Sequence, residues 1–279
     1  MNIQWYPGHI AKATKEIKKK FNDIDVIIQI LDARCPITTK DIFKNELEDK
    51  NKLLILNKSD LSDPKKNKLF IEKFFNPNQR IIALDSRKNS INNIIDKNIF
   101  SLCKDLILKN ELKKIKTVIK AMVIGMPNVG KSTFINSYMK KKVNDVQNKP
   151  GVTKNLKWTT LNKKVIMLDT PGITIPKFNG DLDGIKLLMI GSINETLLNK
   201  QDLIFEFLNI IKKEYIDNIN KKYNLNVKKD IETLELFNLI ALKKNCIKKN
   251  KSIDYEKTAT MIYNDFKNGS LGLITLDEI

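Results

Sequence analysis

Gly125-Met-Pro-Asn-Val-Gly-Lys131-Ser132 restricts what this 279-residue chain can fold into more than any other feature. It fits G-x-x-x-x-G-K-[ST], follows the apolar run 121–124 and precedes a helix-compatible stretch at 133–141. In that setting backbone N–H groups close around phosphate oxygens, and the helix N-terminus adds positive potential. Such a loop needs a buried parallel strand beneath it. Short apolar runs at 26–31, 53–56, 81–84, 118–125 and 165–169 supply the strands. Helix-like stretches near 40–50, 65–76 and 90–110 separate most of them. The alternation predicts an α/β fold: a mostly parallel sheet with helices on both faces, binding ligands at the carboxyl ends of its strands. A Pro7-Gly8 turn leads into a predicted amphipathic helix over 9–21, with Ile10, Ala13, Ile17 and Phe21 on one side.

The loop predicts a nucleotide site. Pro127, Asn128, Val129, Gly130, Lys131, Ser132 and Thr133 are its phosphate-side candidates. Lys131 neutralises the β and γ phosphates, and the Ser132 hydroxyl ligates Mg²⁺. Asp169-Thr-Pro-Gly172 ends the apolar run 165–168. Its carboxylate can hold Mg²⁺ through water, and the Gly172 N–H can sense a γ-phosphate. Between the two lies Lys149-Pro-Gly-Val-Thr153, where Thr153 is a candidate second Mg²⁺ ligand in the triphosphate state.

Asn57-Lys58-Ser59-Asp60 follows the run 53–56. An Asp carboxylate accepts two hydrogen bonds from the guanine ring N–H and amine, which adenine cannot offer. Lys58 would lie along the base and Asn57 would tie neighbouring loops. Asp85-Ser86-Arg87 is a candidate backbone contact to the guanine carbonyl. The nucleotide is therefore read as GTP or GDP. The order is unusual: Gly125 comes 65 positions after Asp60, whereas most GTPases place the phosphate loop first. A sheet whose termini lie close can be reconnected and cut elsewhere. Residues 100–117 would be the joining segment, and the cut falls after Gly172. The loop that reports the γ-phosphate then leads directly into the C-terminal region.

Beyond about residue 180 the spacing is helical, over 184–198, 201–213, 215–222, 230–244 and 254–267. Leu187, Leu188 and Ile190, then Leu234, Phe237, Leu239, Ile240 and Leu242, supply the expected apolar faces. Two domains are expected, 1–178 and 179–279. Residues 1–175 hold 34 Lys/Arg against 17 Asp/Glu, whereas residues 176–279 hold 16 Lys against 15. A composition bias would act on both parts, so the imbalance favours a polyanionic partner for the first. Apolar content of 42% rules out a disordered chain. No apolar run approaches 18 residues, and the first twenty residues carry no secretory or transit pattern, so no membrane partner is expected. Cys35, Cys103 and Cys246 are odd in number and widely spaced, which suits a reducing cytoplasm.

These motifs together resemble the RbgA/YlqF-type circularly permuted GTPases, which assist assembly of the large ribosomal subunit. The resemblance is carried by Ile3-Gln-Trp-Tyr-Pro-Gly-His9, Leu31-Asp-Ala-Arg34, Asn57–Asp60, Gly125–Ser132, Pro150-Gly-Val-Thr153 and Asp169–Gly172. Asn245-Cys-Ile, Asp254-Tyr-Glu-Lys-Thr and Gly269-Ser-Leu-Gly-Leu-Ile-Thr extend it to the tail. It implies a cytoplasmic protein that binds a precursor of the large subunit in its GTP state; the sequence leaves the oligomeric state open, with a monomer favoured. Hydrolysis precedes release, and the helical domain contacts ribosomal RNA. Family tails often carry Arg near the last glycines; here Leu271 and Leu273 flank Gly272.

Many GTPases position the attacking water with a Gln just after the D-x-x-G motif. Here that residue is Ile173, so slow intrinsic turnover is expected. His9, the only histidine, is a candidate to orient the water, and the resemblance points to it as well. Asn128 stands where related potassium-dependent GTPases hold K⁺. Two other readings fit the same motifs: a GTPase switch acting on a protein or tRNA, and a GTP-binding RNA chaperone with negligible hydrolysis.

Overall fold

The computed structural model describes residues 8–40, 42–43, 46–88, 91–139, 156–160, 164–174, 180–194 and 198–279. The five apolar runs become strands β1 (Val26–Asp32), β2 (Lys52–Asn57), β3 (Gln79–Ala83), β4 (Ile119–Gly125) and, after a short β5 (Lys157–Thr160), β6 (Val165–Asp169). They form one sheet in the order β3-β2-β1-β4-β6-β5. All neighbours are parallel except β5, which pairs antiparallel at the edge. Every residue of the central β1 is buried, as a strand covered on both faces requires. Register aligns Asp32 with Asn57, Ile30 with Gly125 and Val123 with Asp169. Four motif-bearing strand ends therefore meet at one edge of the sheet.

Helices α1 (Gly8–Lys20), α2 (Pro36–Lys40), α3 (Pro64–Lys73), α4 (Asn92–Leu102), α5 (Lys104–Leu112) and α6 (Lys131–Tyr138) accompany the strands. Helix α3 starts where Pro64 occupies the first turn and the Asp63 side chain accepts from Lys65 N–H at 2.8 Å. The joining segment 100–117 takes in the end of α4, a break at Cys103 and all of α5, which buries none of its residues. The C-terminal region contains α7 (Asp181–Ile190), α8 (Lys200–Tyr223), α9 (Thr233–Lys243) and α10 (Tyr255–Lys267). Buried apolar side chains run without interruption from the strands into these four helices. Among the described residues, no helix is long and apolar enough to cross a membrane.

Several expectations need correction. Among the described residues of 40–50 no helix continues past Lys40, where α2 ends, and residues 46–49 form turns. Strand β5 was not expected, because Lys157-Trp-Thr-Thr is largely exposed and has no apolar run. The stretches 201–213 and 215–222 are one helix, α8, with a kink where Tyr215 leaves helical geometry (φ −118°, ψ 28°). Leu234 and Leu242 lie on the solvent side of α9, whose buried face is Leu236, Phe237, Ile240 and Ala241.

The last residues leave the helices and run over the sheet. Ile274 N–H donates to the Leu61 carbonyl, and Leu276 N–H donates to the Arg34 carbonyl at 2.6 Å. Thr275 Oγ donates to the Ala33 carbonyl and accepts from Asp63 N–H. Buried Asp277 accepts from Ile37 N–H, Thr38 N–H and Thr38 Oγ1 at the start of α2, and pairs with Lys186 at 2.8 Å. The tail thus fastens the helical region to the chain after β1 and to the chain after the Asn57–Asp60 loop.

Candidate nucleotide site

Each candidate loop begins at a strand end, so the sheet fixes its position. Gly125 closes β4 where a Cβ would meet the Ile30 carbonyl oxygen at 2.6 Å, so close strand packing requires glycine. Gly130 has φ +99°, and a Cβ there would fall 2.3 Å from Asn57 Nδ2. That space lets Asn57 bridge two loops: its Nδ2 donates to the Val129 carbonyl at 2.8 Å, and its Oδ1 accepts from Ser86 N–H at 3.0 Å. Lys58, in left-handed geometry at φ 58°, donates from Nζ to the Asn128 carbonyl at 2.6 Å. The chain's exchanged motif order is thereby folded back into a single pocket.

At the base end, Asp60 Oδ2 accepts from Arg87 Nη2 at 2.5 Å, while buried Oδ1 has no partner. An orphaned carboxylate oxygen beside a second, paired one fits an acceptor for guanine N–H groups. Asp85 accepts from Arg87 Nε at 2.9 Å and orders the 85–87 turn. Ser86 Oγ is buried and also lacks a partner.

At the phosphate end, Lys131 Nζ rests on the carbonyls of Gly125 at 3.1 Å and Met126 at 2.9 Å. Burial pushes its ammonium below the ordinary lysine range, against the pull of Asp169. Burial likewise raises the Asp169 carboxyl, with Lys131 opposing it. Phosphate and a divalent cation would relieve both penalties. Asp169 Oδ1 is buried without a partner, which fits a Mg²⁺-bound water, and Ser132 opens α6 beside Lys131. Gly172 approaches closely: a Cβ would lie 2.8 Å from Pro127 Cα and 3.1 Å from Lys131 Nζ. Ile173 is buried, its N–H directed to the Gly125 carbonyl, and it presents nothing to a water. Thr133 follows Ser132 on the first turn of α6. Thr153 and the side chain of His9 lie outside the described residues, although His9 itself belongs to the first turn of α1.

Three features go beyond the roles that the motifs assign. Asp32, at the end of β1, is fully buried and accepts from Arg34 Nε and Nη2 at 2.9 and 2.8 Å and from Lys58 Nζ at 2.9 Å. Burial alone would raise its carboxyl; the Arg34 and Lys58 charges override that and hold it far below the usual carboxylate range. Arg34 is only 2% exposed and lies 5.0 Å from the Phe266 ring centroid of α10. Second, the helical region touches the phosphate loop: Ser192 Oγ donates to the Pro127 carbonyl at 2.8 Å, and Asn128 Nδ2 donates to the Gly191 carbonyl at 2.6 Å. Third, the tail lies along the base-reading loop, as described above. The position of Asp32 at a strand's carboxyl end was the available signal for the first; the others have no local signature.

A phosphate loop, a D-x-x-G strand end and a guanine-reading loop, assembled on one sheet from an exchanged chain order, define a circularly permuted P-loop GTPase. Residues 120–244 match the family model described as 50S ribosome-binding GTPase. Ribosome biogenesis GTPase A of Bacillus cereus is 34% identical over 284 residues, spanning 99% of this chain and 94% of that protein. The chain belongs to the ribosome biogenesis GTPase A (RbgA/YlqF) family. Mitochondrial ribosome-associated GTPase 1 of Xenopus tropicalis is 30% identical, over 98% of this chain and 94% of its own length. In fold, the chain is similar to GDP-bound TM YlqF (TM-score 0.64, 21% identity, 94% of this chain and 98% of that one). It is also similar to GNP-bound YlqF from T. maritima (TM-score 0.62, 21% identity, 96% and 98%).

Proposed function

We propose that this GTPase assists assembly of the large ribosomal subunit, engaging the precursor particle with GTP bound and leaving after hydrolysis to GDP and phosphate. The observation that carries the nucleotide part is the bridge from Asn57 and Lys58 to the carbonyls of Val129 and Asn128, with Asp60 Oδ1 waiting at the base end. Family membership supports the ribosomal part. So does charge: residues 1–175 carry twice as many basic as acidic side chains. A second basic site lies in the helical region, where Lys243, Lys244, Lys248, Lys249 and Lys251 are all exposed around the bridge between Ile247 and Ile253. Ribosomal RNA is the polyanion that fits them.

In this mechanism Asp60 reads the guanine edge, Lys58 flanks the base, and the 85–87 turn offers backbone N–H groups to the guanine carbonyl. Backbone N–H groups of 127–133 and the Lys131 ammonium hold the phosphates. Ser132, Thr153 and, through water, Asp169 would hold Mg²⁺, which would supply positive charge to the β and γ phosphates. Gly172 N–H senses the γ-phosphate. His9 orients the attacking water, a task Ile173 cannot perform. Asn128 Oδ1 is the ligand for K⁺, since its Nδ2 is committed to Gly191. The protein acts as a monomer in the cytoplasm.

Co-sedimentation with large-subunit precursors tests the reading. Binding with a non-hydrolysable GTP analogue, lost with GDP, is the expected result. Equal pelleting with both nucleotides, or none with either, would overturn it and favour a protein or tRNA partner. His9→Ala should lower the particle-stimulated kcat while leaving GTP affinity intact.

A further inference from the structure

The helical region reaches the phosphate loop with more than hydrogen bonds. Gly191 ends α7 with φ +76°, and the carbonyl of this residue receives the Asn128 amide. A Cβ on Gly191 would lie 2.6 Å from Lys267 Nζ and 3.7 Å from Asn128 Nδ2. The ammonium of Lys267, the last residue of α10, is therefore a near neighbour of the phosphate loop across one bare Cα. Lys267 Nζ donates to Tyr263 Oη at 3.4 Å and stands 5.3 Å from that ring's centroid, which fixes the direction of its long stem. Next to Asn128, Pro127 is gripped by Ser192 Oγ and abuts Gly172, the candidate γ-phosphate sensor. Pro127 is thus at the candidate γ-phosphate end of the loop, and Lys267 stands near the side-chain amide of its neighbour Asn128.

We propose that Lys267 is a further catalytic residue: a cation delivered from the helical domain, in cis, to the triphosphate held by residues 125–132. In hydrolysis the water oxygen bonds to the γ-phosphorus. The bond to the β–γ bridging oxygen breaks with its electron pair left on GDP, and the water's protons pass to phosphate and solvent. Negative charge therefore grows on the bridging and γ oxygens, where a cation stabilises the transition state more than the ground state. Ile173 removes the usual water-positioning group from this chain, so charge supplied from elsewhere matters more. The ammonium stands beside the residue assigned to K⁺ and supplies the same sign of charge from the polypeptide itself. It also gives the contact between helical domain and phosphate loop a chemical role: any movement of α10 away from Gly191 withdraws the charge.

This inference rests on the GTPase reading of the site and not on the ribosomal partner. It is tested on the full chain alone, by single-turnover GTP hydrolysis in sodium buffer without ribosomal particles. Lys267→Met keeps the stem against Tyr263 and removes the charge. It should lower the rate at saturating GTP by about ten-fold or more, while the Kd for GDP stays within about two-fold. Lys267→Arg keeps the charge and should retain most of the rate. Circular dichroism verifies folding; Lys267→Gln serves in place of the Met variant if that one does not fold. A neutral variant that turns over GTP at the wild-type rate overturns the proposal. So does one that loses GDP and GTP affinity in parallel at unchanged kcat, which would mark a purely structural lysine. Failure to sediment with ribosomal precursors would sink the assembly role and leave this measurement standing.

Discussion

Asp32→Asn removes one negative charge from a site where two cations converge. The side chain keeps its size, but its amide would face Arg34 and Lys58, each held within 3 Å of the present carboxylate. Arg34 is 2% exposed and already has an unpartnered Nη1, so water cannot replace the lost acceptor. Deleting one member of a buried ion pair costs about 3–5 kcal/mol. At about 2–4 °C per kcal/mol for chains of this order, the melting temperature should fall by about 6–20 °C. Because Lys58 would lose the anchor that directs it to the Asn128 carbonyl, GDP affinity should weaken too. The sign with pH follows from the depressed Asp32 carboxyl. Unfolded aspartate titrates near 3.9, about where the pair's contribution is still complete. Stability is lost as pH falls from there toward the folded-state value. The wild type should therefore lose stability more steeply below about pH 4 than the Asn variant. Arg34→Met, which removes the stranded cation, should restore at least about 1 kcal/mol to the Asp32→Asn background. Thermal and urea melts of the two single variants and the double variant measure all of this. A single-variant loss under about 1 kcal/mol, or strict additivity in the double variant, would refute the account of this cluster.

Three further outcomes follow from the pocket. Asp60→Asn should shift preference from guanine toward xanthine nucleotides, and unchanged GTP selectivity in competition binding would remove Asp60 as base reader. Gly130→Ala forces a Cβ onto Asn57 Nδ2 and strains a φ of +99°, so GDP binding by calorimetry should weaken by about ten-fold or more, equivalent to at least 1.4 kcal/mol. Lys131→Ala should abolish measurable GTP turnover; retained phosphate release would place the phosphate grip elsewhere.

Much of the sheet was legible because its physics is local. Buried parallel strands must be apolar on both faces, so the runs at 26–31, 53–56 and 165–169 announce themselves, and Gly125–Ser132 places the phosphate end. Strand β5 was hidden because an edge pairing needs only backbone groups, and Lys157-Trp-Thr-Thr has no buried face. Helix α2 was missed because its N-terminal N–H groups are satisfied by Asp277, some 240 residues away. Arg34 was seen only as part of a family signature: a charged side chain is expected at the surface, and its burial depends on Asp32 and Phe266 meeting it in space. The Gly191 and Ser192 contacts to the phosphate loop likewise arise from packing of the helical region.

The strand order has a consequence for synthesis. β1, the neighbour of both β2 and β4, is made with the base-reading half, but its second partner emerges only after residue 119. At roughly 5–20 residues per second, translation takes several seconds to supply it. Throughout that interval the nascent polypeptide carries an uncovered apolar edge open to mispairing. Guanine nucleotide cannot act as a folding template until the later half arrives. Chaperone capture of ribosome-stalled intermediates should accordingly peak between the appearance of β1 and that of β4.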